Sequence, residues 1–164
     1  MKKVVVAVIV LALGLAAYVY FHDREERKIK KQLTLLSECV SKEGGESAFA
    51  LARRLERLGS LFAGEVHLNT PEFEAPATRT RREIVNLAAR ARMAFSRMTL
   101  TFHDPAVHII DEGRAKVSCT GKLNAASAGG ESVEEIREIE LTLHKEMEGR
   151  WLFRSVEVVE VLKR

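Results

Sequence analysis

Three charged residues occur where predicted strands carry mainly apolar side chains, and they could supply the polar groups of a binding pocket. Asp104 follows Phe102 on the apolar phase of an alternating segment, and Arg137 and Glu157 lie among apolar residues of the last two predicted strands. A charged group enclosed by apolar side chains has a shifted pKa and can hold a polar group of a ligand. The alternatives are a solvated Asp-Pro turn for Asp104 and a cross-strand ion pair on the solvent-exposed face of the sheet for Arg137 and Glu157.

The turn between the last two strands decides which of these charges enter a pocket. A two-residue turn at Glu148-Gly149 would place Arg137 opposite Glu160, whereas a three-residue turn with a left-handed glycine would place Glu157 opposite Ile139. Because a slip of one residue exchanges the two faces of a strand, both orientations stay open at this point.

The histidines and cysteines do not form a metal-binding pattern. Four histidines lie on the polar phase of alternating strands, without ligand-like spacing, so we expect neither a metal nor a cofactor. The two cysteines, Cys39 and Cys119, form no CxxC motif and are interpreted as small buried hydrophobic residues. The histidines are His67, His103, His108 and His144.

The elements that would position these residues are three helices followed by long antiparallel strands. Apolar residues recur at helical spacing from Ile29 to Val40, and Ser47 is a suitable N-cap for a second helix. A short strand ends at Pro71, a loop covers residues 72–82, and Thr80 with Glu83 fits the capping box of a third helix. From residue 98 the apolar period becomes two, with a turn at Asp104-Pro105. The pattern predicts an α+β domain.

An uncharged run from Val4 to Phe21 precedes this domain. As a helix it would be about 27 Å long, close to the thickness of the hydrocarbon core of a bilayer. We therefore expect residues 1–21 to be a single-pass transmembrane anchor and residues 22–164 to be the folded domain. The alternative is a cleaved signal peptide. Lys2 and Lys3 favour a cytoplasmic N-terminus and an extracytoplasmic, periplasmic domain, although the basic residues after the run favour the opposite orientation.

The charge balance argues against a nucleic-acid partner. The chain has 26 basic and 23 acidic residues, and two of the basic residues are Lys2 and Lys3, which leaves 24 in the domain. Local basicity follows the apolar run, where it could bind anionic lipid headgroups or an acidic partner. These basic residues are Arg24, Arg27, Lys28, Lys30 and Lys31.

The order of helix, helix, short strand, proline loop, helix and long strands ending in EGRWLFRSVEVVEV resembles the nuclear transport factor 2-like superfamily, which includes SnoaL-like and ketosteroid-isomerase-like proteins. The resemblance covers residues 22–164 and implies a cone of three helices on a curved antiparallel sheet, with a pocket at its wide end. It extends to bitopic membrane proteins that carry this fold behind one N-terminal span.

The same resemblance argues against isomerase chemistry. In the ketosteroid-isomerase branch an aspartate before the proline is the general base, but Thr70 occupies that position here, and a hydroxyl is a weak base. That branch also uses a tyrosine and a protonated aspartate as oxyanion donors. Beyond residue 21 this chain has no tyrosine, and its only aspartates are Asp23, Asp104 and Asp111.

Two functions remain open on the sequence. The first is a membrane-tethered, non-catalytic interaction module that binds a protein partner or a second copy of itself through an exposed sheet face carrying Trp151 and Phe153. The second is a protein that binds a small apolar molecule, or an unconventional enzyme of the SnoaL-like type, with Asp104, Arg137 or Glu157 as its polar group.

Overall fold

The structure is a computed structural model that describes residues 2–70 and 75–159. For residues 2–9, 12, 13 and 15–18 it describes the backbone alone.

Three helices form where the sequence provides apolar stripes and caps. α1 spans Lys2–Val40, α2 spans Ala48–Ser60 and α3 spans Arg81–Ala94. Ser47 caps α2 by accepting a hydrogen bond from the Ala50 amide, at 3.2 Å. The predicted capping box of α3 is present, with the Thr80 amide donating to Glu83 Oε2 at 2.7 Å and the Glu83 amide donating to Thr80 Oγ1 at 3.3 Å. These local signals therefore set the helix starts as the sequence predicts.

Seven strands form one curved sheet against these helices. The strand order is β1-β4-β5-β6-β7-β2-β3, and every neighbouring pair is antiparallel except β2 and β7, which are parallel. The prediction of a purely antiparallel sheet was wrong at this one pair. The strands are β1 Lys42–Glu43, β2 Phe62–Asn69, β3 Ala77–Thr80, β4 Arg97–Asp111, β5 Arg114–Ala126, β6 Ser132–Lys145 and β7 Trp151–Val159.

The core lies between α1 and the inward face of the sheet. Ile29, Leu33 and Leu36 of α1 are buried in one hydrophobic cluster with inward residues of the central strands, including Val117 and Leu141. This cluster explains why the apolar positions alternate along β5 and β6.

Trp151 and Phe153 belong to this core rather than to an exposed sheet face. Trp151 is 2% exposed and Phe153 is 0% exposed. The expectation that they form a docking surface was wrong, because β7 is a central strand, between β6 and β2, and α1 packs against it.

Asp104 and Pro105 form a bulge inside a continuous strand instead of a turn. His103 pairs with Thr120 and Ala106 with Ser118, so two residues of β4 lie opposite one residue of β5. Asp104 has a φ of 50°, in the left-handed region, which aspartate tolerates better than most residues. The predicted turn was therefore wrong.

The last hairpin has the three-residue turn, with Gly149 at a φ of 77° and the Gly149 amide donating to the Glu146 carbonyl at 2.8 Å. A bulge at Arg154 then shifts the register by one residue, since Thr142 pairs with Ser155 and Leu143 with Phe153. Glu157 consequently lies opposite Glu140 and not opposite Ile139.

The apolar run of residues 4–21 forms the N-terminal half of α1, and the predicted domain boundary at residues 21 and 22 falls inside this helix. Most of the predicted anchor lies outside the residues whose side chains are described. Within the described part of the chain, no helix combines the length and the apolar character needed to cross a membrane.

Candidate functional site

Arg137 is the predicted site residue that lies on the inward face of the sheet. It pairs with the buried Gly121 of β5, and it lies two residues from Ile139 and four from Leu141, both of which pack in or against the core. Its Nη2 forms an ion pair with Glu135 at 2.8 Å, and its side chain is 40% exposed. Its Nε is buried without a hydrogen-bond partner among the described residues. Nη2 of the guanidinium therefore lies in the solvent-exposed ion pair, whereas Nε is turned inward.

Three more buried polar atoms lack a partner in the described part of the chain, namely Thr70 Oγ1, Gln32 Oε1 and Arg92 Nε, the last of which lies in α3. Thr70 follows β2, in which Val66 and Leu68 are buried, and strand alternation places Thr70 on the same inward side. Gln32 lies seven residues after Glu25, which is two helical turns, so both project from the same side of α1.

The strand register places Thr70 and Arg137 in neighbouring inward rows of the concave face. Leu68 pairs with Val156, which pairs with Leu141, so Thr70 falls in the next inward row with Val158 and Ile139. Arg137 is the next inward residue of β6. Thr70 and Arg137 are two strand spacings apart across the sheet and two residues apart along the strands. Their Cα atoms are therefore roughly 12 Å from each other. We call Gln32, Thr70 and Arg137 the inward polar trio.

Neither Asp104 nor Glu157 joins this trio. Asp104 is exposed at the bulge of β4. Glu157 lies on the outward face, where its Oε1 accepts a hydrogen bond from Asn69 Nδ2 at 3.2 Å. The structure therefore places neither carboxylate with the trio, and the bulge at Arg154 is the reason for Glu157.

A second polar group, centred on Glu25, ties α1 to the opposite end of the sheet. The Glu25 carboxylate accepts hydrogen bonds from Trp151 Nε1 at 2.8 Å and Lys28 Nζ at 2.7 Å, and Lys145 Nζ lies 2.8 Å away. Burial opposes ionisation, but these donors outweigh it and lower the pKa of Glu25 to about 2. The sequence contained a signal for this contact, because Glu25 precedes Ile29 by four residues on the inward stripe of α1.

A cavity of about 580 Å³ adjoins the Glu25 group. Glu25 and Lys145 at this cavity are paired with each other, and Lys145 Nζ also lies 5.6 Å from the centroid of the Trp151 ring. These polar groups thus serve to hold the helix on the sheet. The residues that line this cavity are Phe21, His22, Glu25, Ile109, Ile110, Asp111, Glu112, Lys145 and Trp151.

Two further cavities, of about 590 and 450 Å³, flank α2 and share Arg54 and Arg57. Arg54 is already bound to the carbonyl oxygens of Glu38 and Ser41, both at 3.0 Å, and to Glu46 at 3.2 Å. The remaining lining of the two cavities carries both charge signs. Their charged lining residues are Arg53, Arg54, Arg57, Glu38, Glu43 and Glu56.

The basic residues after the apolar run are partly engaged within α1. Lys28 pairs with Glu25 at 2.7 Å and Lys30 with Glu26 at 2.6 Å, whereas Arg24, Arg27 and Lys31 are exposed.

Arg92 of α3 has a structural role that the sequence did not indicate. It is 2% exposed, and its Nη1 donates to the carbonyl oxygens of Cys39 and Val40 at 2.8 Å and of Ser41 at 3.0 Å. Its Nη2 lies 2.6 Å from Glu46. Arg92 thereby binds the carbonyl groups that the end of α1 leaves unpaired.

The cysteines and histidines occupy structural and exposed positions. Cys39 and Cys119 are free and buried, and burial raises the pKa of both thiols, to about 11 for Cys119. The described part of the chain brings no three histidine, cysteine or acidic residues together as a metal site. The exposed histidines are His67, His103, His108 and His144.

The inward polar trio can bind a ligand, but it lacks the residue types of acid-base catalysis. It consists of a guanidinium, a hydroxyl and a carboxamide, which donate and accept hydrogen bonds but are poor proton acceptors near neutral pH.

Comparisons with known proteins identify the fold. No family model matches the sequence, and no curated protein matches it. Among solved structures, the chain is similar to a putative dehydratase of the NTF2-like family from Streptomyces avermitilis, at 17% identity with a TM-score of 0.67, covering 86% of this chain and 99% of that one.

Two proteins from Novosphingobium aromaticivorans are also similar. A putative scytalone dehydratase is 17% identical with a TM-score of 0.66, covering 86% of this chain and 87% of that one. An NTF2-like protein with a cystatin-like fold is 16% identical with a TM-score of 0.67, covering 92% and 90%. At these identities the likeness concerns the fold alone. The chain therefore has the α+β nuclear transport factor 2-like fold, with three helices on a curved, mixed sheet.

Proposed function

We propose that this domain binds a small molecule on the concave face of its sheet and that it does so without catalysing a proton transfer. The observation that carries the proposal is the inward polar trio, in which Gln32 Oε1, Thr70 Oγ1 and Arg137 Nε are buried without partners among the described residues.

Buried polar atoms without partners are costly, at about 1–3 kcal/mol each. Chains usually remove this cost by pairing such atoms with protein groups or ordered water. Such atoms on the inward side can instead be satisfied by a bound molecule, which would also stabilise the folded chain. A ligand on the concave face would contact apolar side chains in addition, as small-molecule sites usually do.

The solved structures with this fold include proteins described as a putative dehydratase and a putative scytalone dehydratase. We carry over from them only the idea that the domain handles a small molecule. The reaction is not carried over, because Thr70 takes the place of the general base that the ketosteroid-isomerase branch places before the proline.

A ligand screen with matched variants tests the proposal. We expect compounds from a library of small apolar acids, alcohols and amides to raise the melting temperature of the full-length chain, and we expect Arg137→Met and Thr70→Val to abolish that shift. Arg150→Met is the control, because Arg150 is exposed at the β6–β7 turn and pairs with Glu146 at 3.1 Å. A shift that survives Arg137→Met and Thr70→Val, or no shift with any compound, would overturn the proposal.

On the sequence alone we also propose that residues 4–21 tether the domain to a membrane and that the domain lies on the extracytoplasmic side. The run contains no charged residue, and two lysines precede it. No partner protein or second copy is proposed, because Trp151 and Phe153, which would have formed the docking surface, are buried.

Thiol labelling tests the tether and its orientation. Ala128 is exposed in the turn between β5 and β6, and the two native cysteines are buried, so an Ala128→Cys variant carries one reactive thiol. We expect the chain to stay in the membrane pellet after alkaline carbonate extraction. We also expect a membrane-impermeant maleimide to label the variant in intact cells, after permeabilisation of any outer membrane. Release by carbonate would exclude the anchor, and labelling only after lysis would reverse the orientation.

A further inference from the structure

We propose that the end of the domain at which α1 leaves the sheet rests on the surface of a lipid bilayer, with Ile110 and Met147 inserted among the headgroups beside Phe21. The two hairpins that carry Ile110 and Met147 then hold the domain at a fixed height on the membrane. This inference rests on the proposed tether of residues 4–21 and goes beyond it, because it assigns membrane contact to the folded domain itself.

No linker separates the apolar run from the domain. Phe21, the last residue of the run, lies in the same helix as Glu25. The Glu25 carboxylate binds Trp151, the first residue of β7, and Lys145, the last residue of β6, both at 2.8 Å. Four residues of helix cover about 6 Å. The surface of a bilayer that contains the run therefore lies close to this end of the sheet.

The turns after β4 and β6 both reach this level. The Lys145 amide donates to the Gly113 carbonyl at 2.8 Å, so the turn between β4 and β5 lies beside the end of β6. Met147 follows Lys145 by two residues, which carries it at most about 7 Å beyond the strand. This distance is close to the one by which Phe21 lies beyond Glu25, so the two side chains reach a similar height.

Exposed apolar side chains occur on all three elements at this end. Phe21 of α1 is 61% exposed, Ile110 near the end of β4 is 50% exposed, and Met147 in the β6–β7 turn is fully exposed. Phe21 and Ile110 line the same cavity, the one of about 580 Å³ beside Glu25. Apolar side chains gathered from separate elements mark an interaction surface. A bilayer fits this surface, because Tyr20 is also exposed and tyrosine favours the membrane interface.

The charges of the two turns favour apolar insertion over electrostatic attraction. Arg114 pairs with Asp111 at 2.7 Å, and Arg150 pairs with Glu146 at 3.1 Å and with Glu148 at 3.3 Å. Neither turn has a surplus of basic residues, so attraction to anionic headgroups does not explain a contact here. The contact should therefore form on zwitterionic phosphatidylcholine and should be insensitive to salt.

Quenching of a fluorescent label by nitroxide-labelled lipid tests the inference on the full-length chain in phosphatidylcholine vesicles. Both native cysteines are buried, so a new surface cysteine takes the label. The variants are Glu112→Cys in the β4–β5 turn, Met93→Cys in α3 and Val10→Cys in the apolar run, all at exposed positions. Met93→Cys is the control, because the neighbouring Arg92 binds the end of α1, and residues 21–40 of α1 cover roughly 28 Å.

We expect the label at position 112 to be quenched at least about 5-fold more strongly than the label at position 93, at low and high salt alike. Adding Ile110→Asp and Met147→Asp together should reduce quenching at position 112 to the level at position 93, because carboxylates stay in water. Ile136→Asp should leave the quenching unchanged, since Ile136 is 54% exposed but lies toward the other end of β6.

The outcomes separate this inference from the proposed tether. Quenching of Val10→Cys without quenching of Glu112→Cys would keep the tether and overturn the contact. Quenching of Glu112→Cys that survives the two aspartate substitutions would show proximity through the tether alone, and it would overturn the insertion of Ile110 and Met147. Absence of quenching for Val10→Cys would refute the tether and, with it, the contact.

Discussion

Replacing Glu25 with glutamine should destabilise the fold in a pH-dependent way. The carboxylate holds Trp151, Lys28 and Lys145 at 2.7 to 2.8 Å, and its side chain is 17% exposed. Its pKa is lowered from 4.5 to about 2 in the folded chain. A difference of about 2.5 pKa units corresponds to about 3 kcal/mol at neutral pH, and partial solvent access reduces this to about 2 to 3 kcal/mol.

The sign follows from the lowered pKa. The unfolded chain binds a proton at Glu25 below about pH 4.5, whereas the folded chain binds it only near pH 2, so the stabilisation is complete above pH 4.5 and is lost as the pH falls toward 2. From these two values, about 1 kcal/mol of the stabilisation should remain at pH 3. The assay is urea unfolding of the wild type and Glu25→Gln, in mild detergent, at pH 7, 5 and 3.

Glu26→Gln is the matched control for this experiment. Glu26 is the next residue, and the carboxylate forms one ion pair, with Lys30 at 2.6 Å, at 31% exposure. We expect this control to cost less than about 1 kcal/mol, as exposed pairs do. Equal costs for the two variants, or a Glu25→Gln cost that does not change between pH 7 and 3, would refute the account of Glu25 as the group that holds α1 on the sheet.

Three further predictions concern buried or capping groups. Arg92→Met should cost about 3 kcal/mol in urea unfolding, because it removes the closer of the two ion pairs of Glu46 and the side-chain donor to the Cys39 and Val40 carbonyl groups. Arg90→Met on the exposed side of α3 should cost less than about 0.5 kcal/mol, and similar costs for the two variants would contradict the buried role. Thr80→Ala should cost about 1 kcal/mol through loss of the capping box, and an unchanged free energy of unfolding would contradict this. Cys119, with a pKa of about 11, should have only about 0.1% thiolate at pH 8 and should react with iodoacetamide only after unfolding; mass spectrometry showing rapid native labelling would refute its burial.

Local signals predicted the helices well because each depends on a few neighbouring residues. Ser47 and the Thr80–Glu83 pair satisfy amide groups within three residues of themselves, so the caps could be predicted from spacing alone. The apolar stripe through Ile29 and Leu33 likewise predicted the buried face of α1, and the fold class followed from the order of these patterns. The short β3 was predicted as a loop, since four residues after a proline give too little alternation to reveal a strand.

The candidate site was harder to predict because it depends on two bulges. Asp104-Pro105 has the composition of a turn, but pairing with β5 on both sides keeps the chain extended. The three-residue turn at Gly149 was one of two expected geometries. The bulge at Arg154 then shifts the register by one residue, so every residue beyond it lies on the face opposite to the one that this turn alone would give. Arg137 and Glu157 were therefore identified as candidates while their faces stayed open, and only the observed register places Arg137 inward and Glu157 outward.

The contacts that the sequence could not reveal join residues far apart in the chain. Glu25 meets Trp151 across 126 positions, and Arg92 meets the end of α1 across about 50. In sequence Arg92 resembles the other arginines of α3, and only the packing of α3 beside the end of α1 distinguishes it.

The central claim is that a small molecule binds at the inward polar trio, and the most direct measurement is the NMR signal of the Arg137 Nε–H group during titration with a compound that raises the melting temperature in the ligand screen. Arg137→Lys, which lacks this group, assigns the signal in a spectrum of the ¹⁵N-labelled full-length chain. We predict that the signal shifts in a saturable way and that its exchange with water slows as the ligand accepts its hydrogen bond. Saturable binding that leaves the Arg137 Nε–H signal unchanged would place the ligand elsewhere and contradict the account.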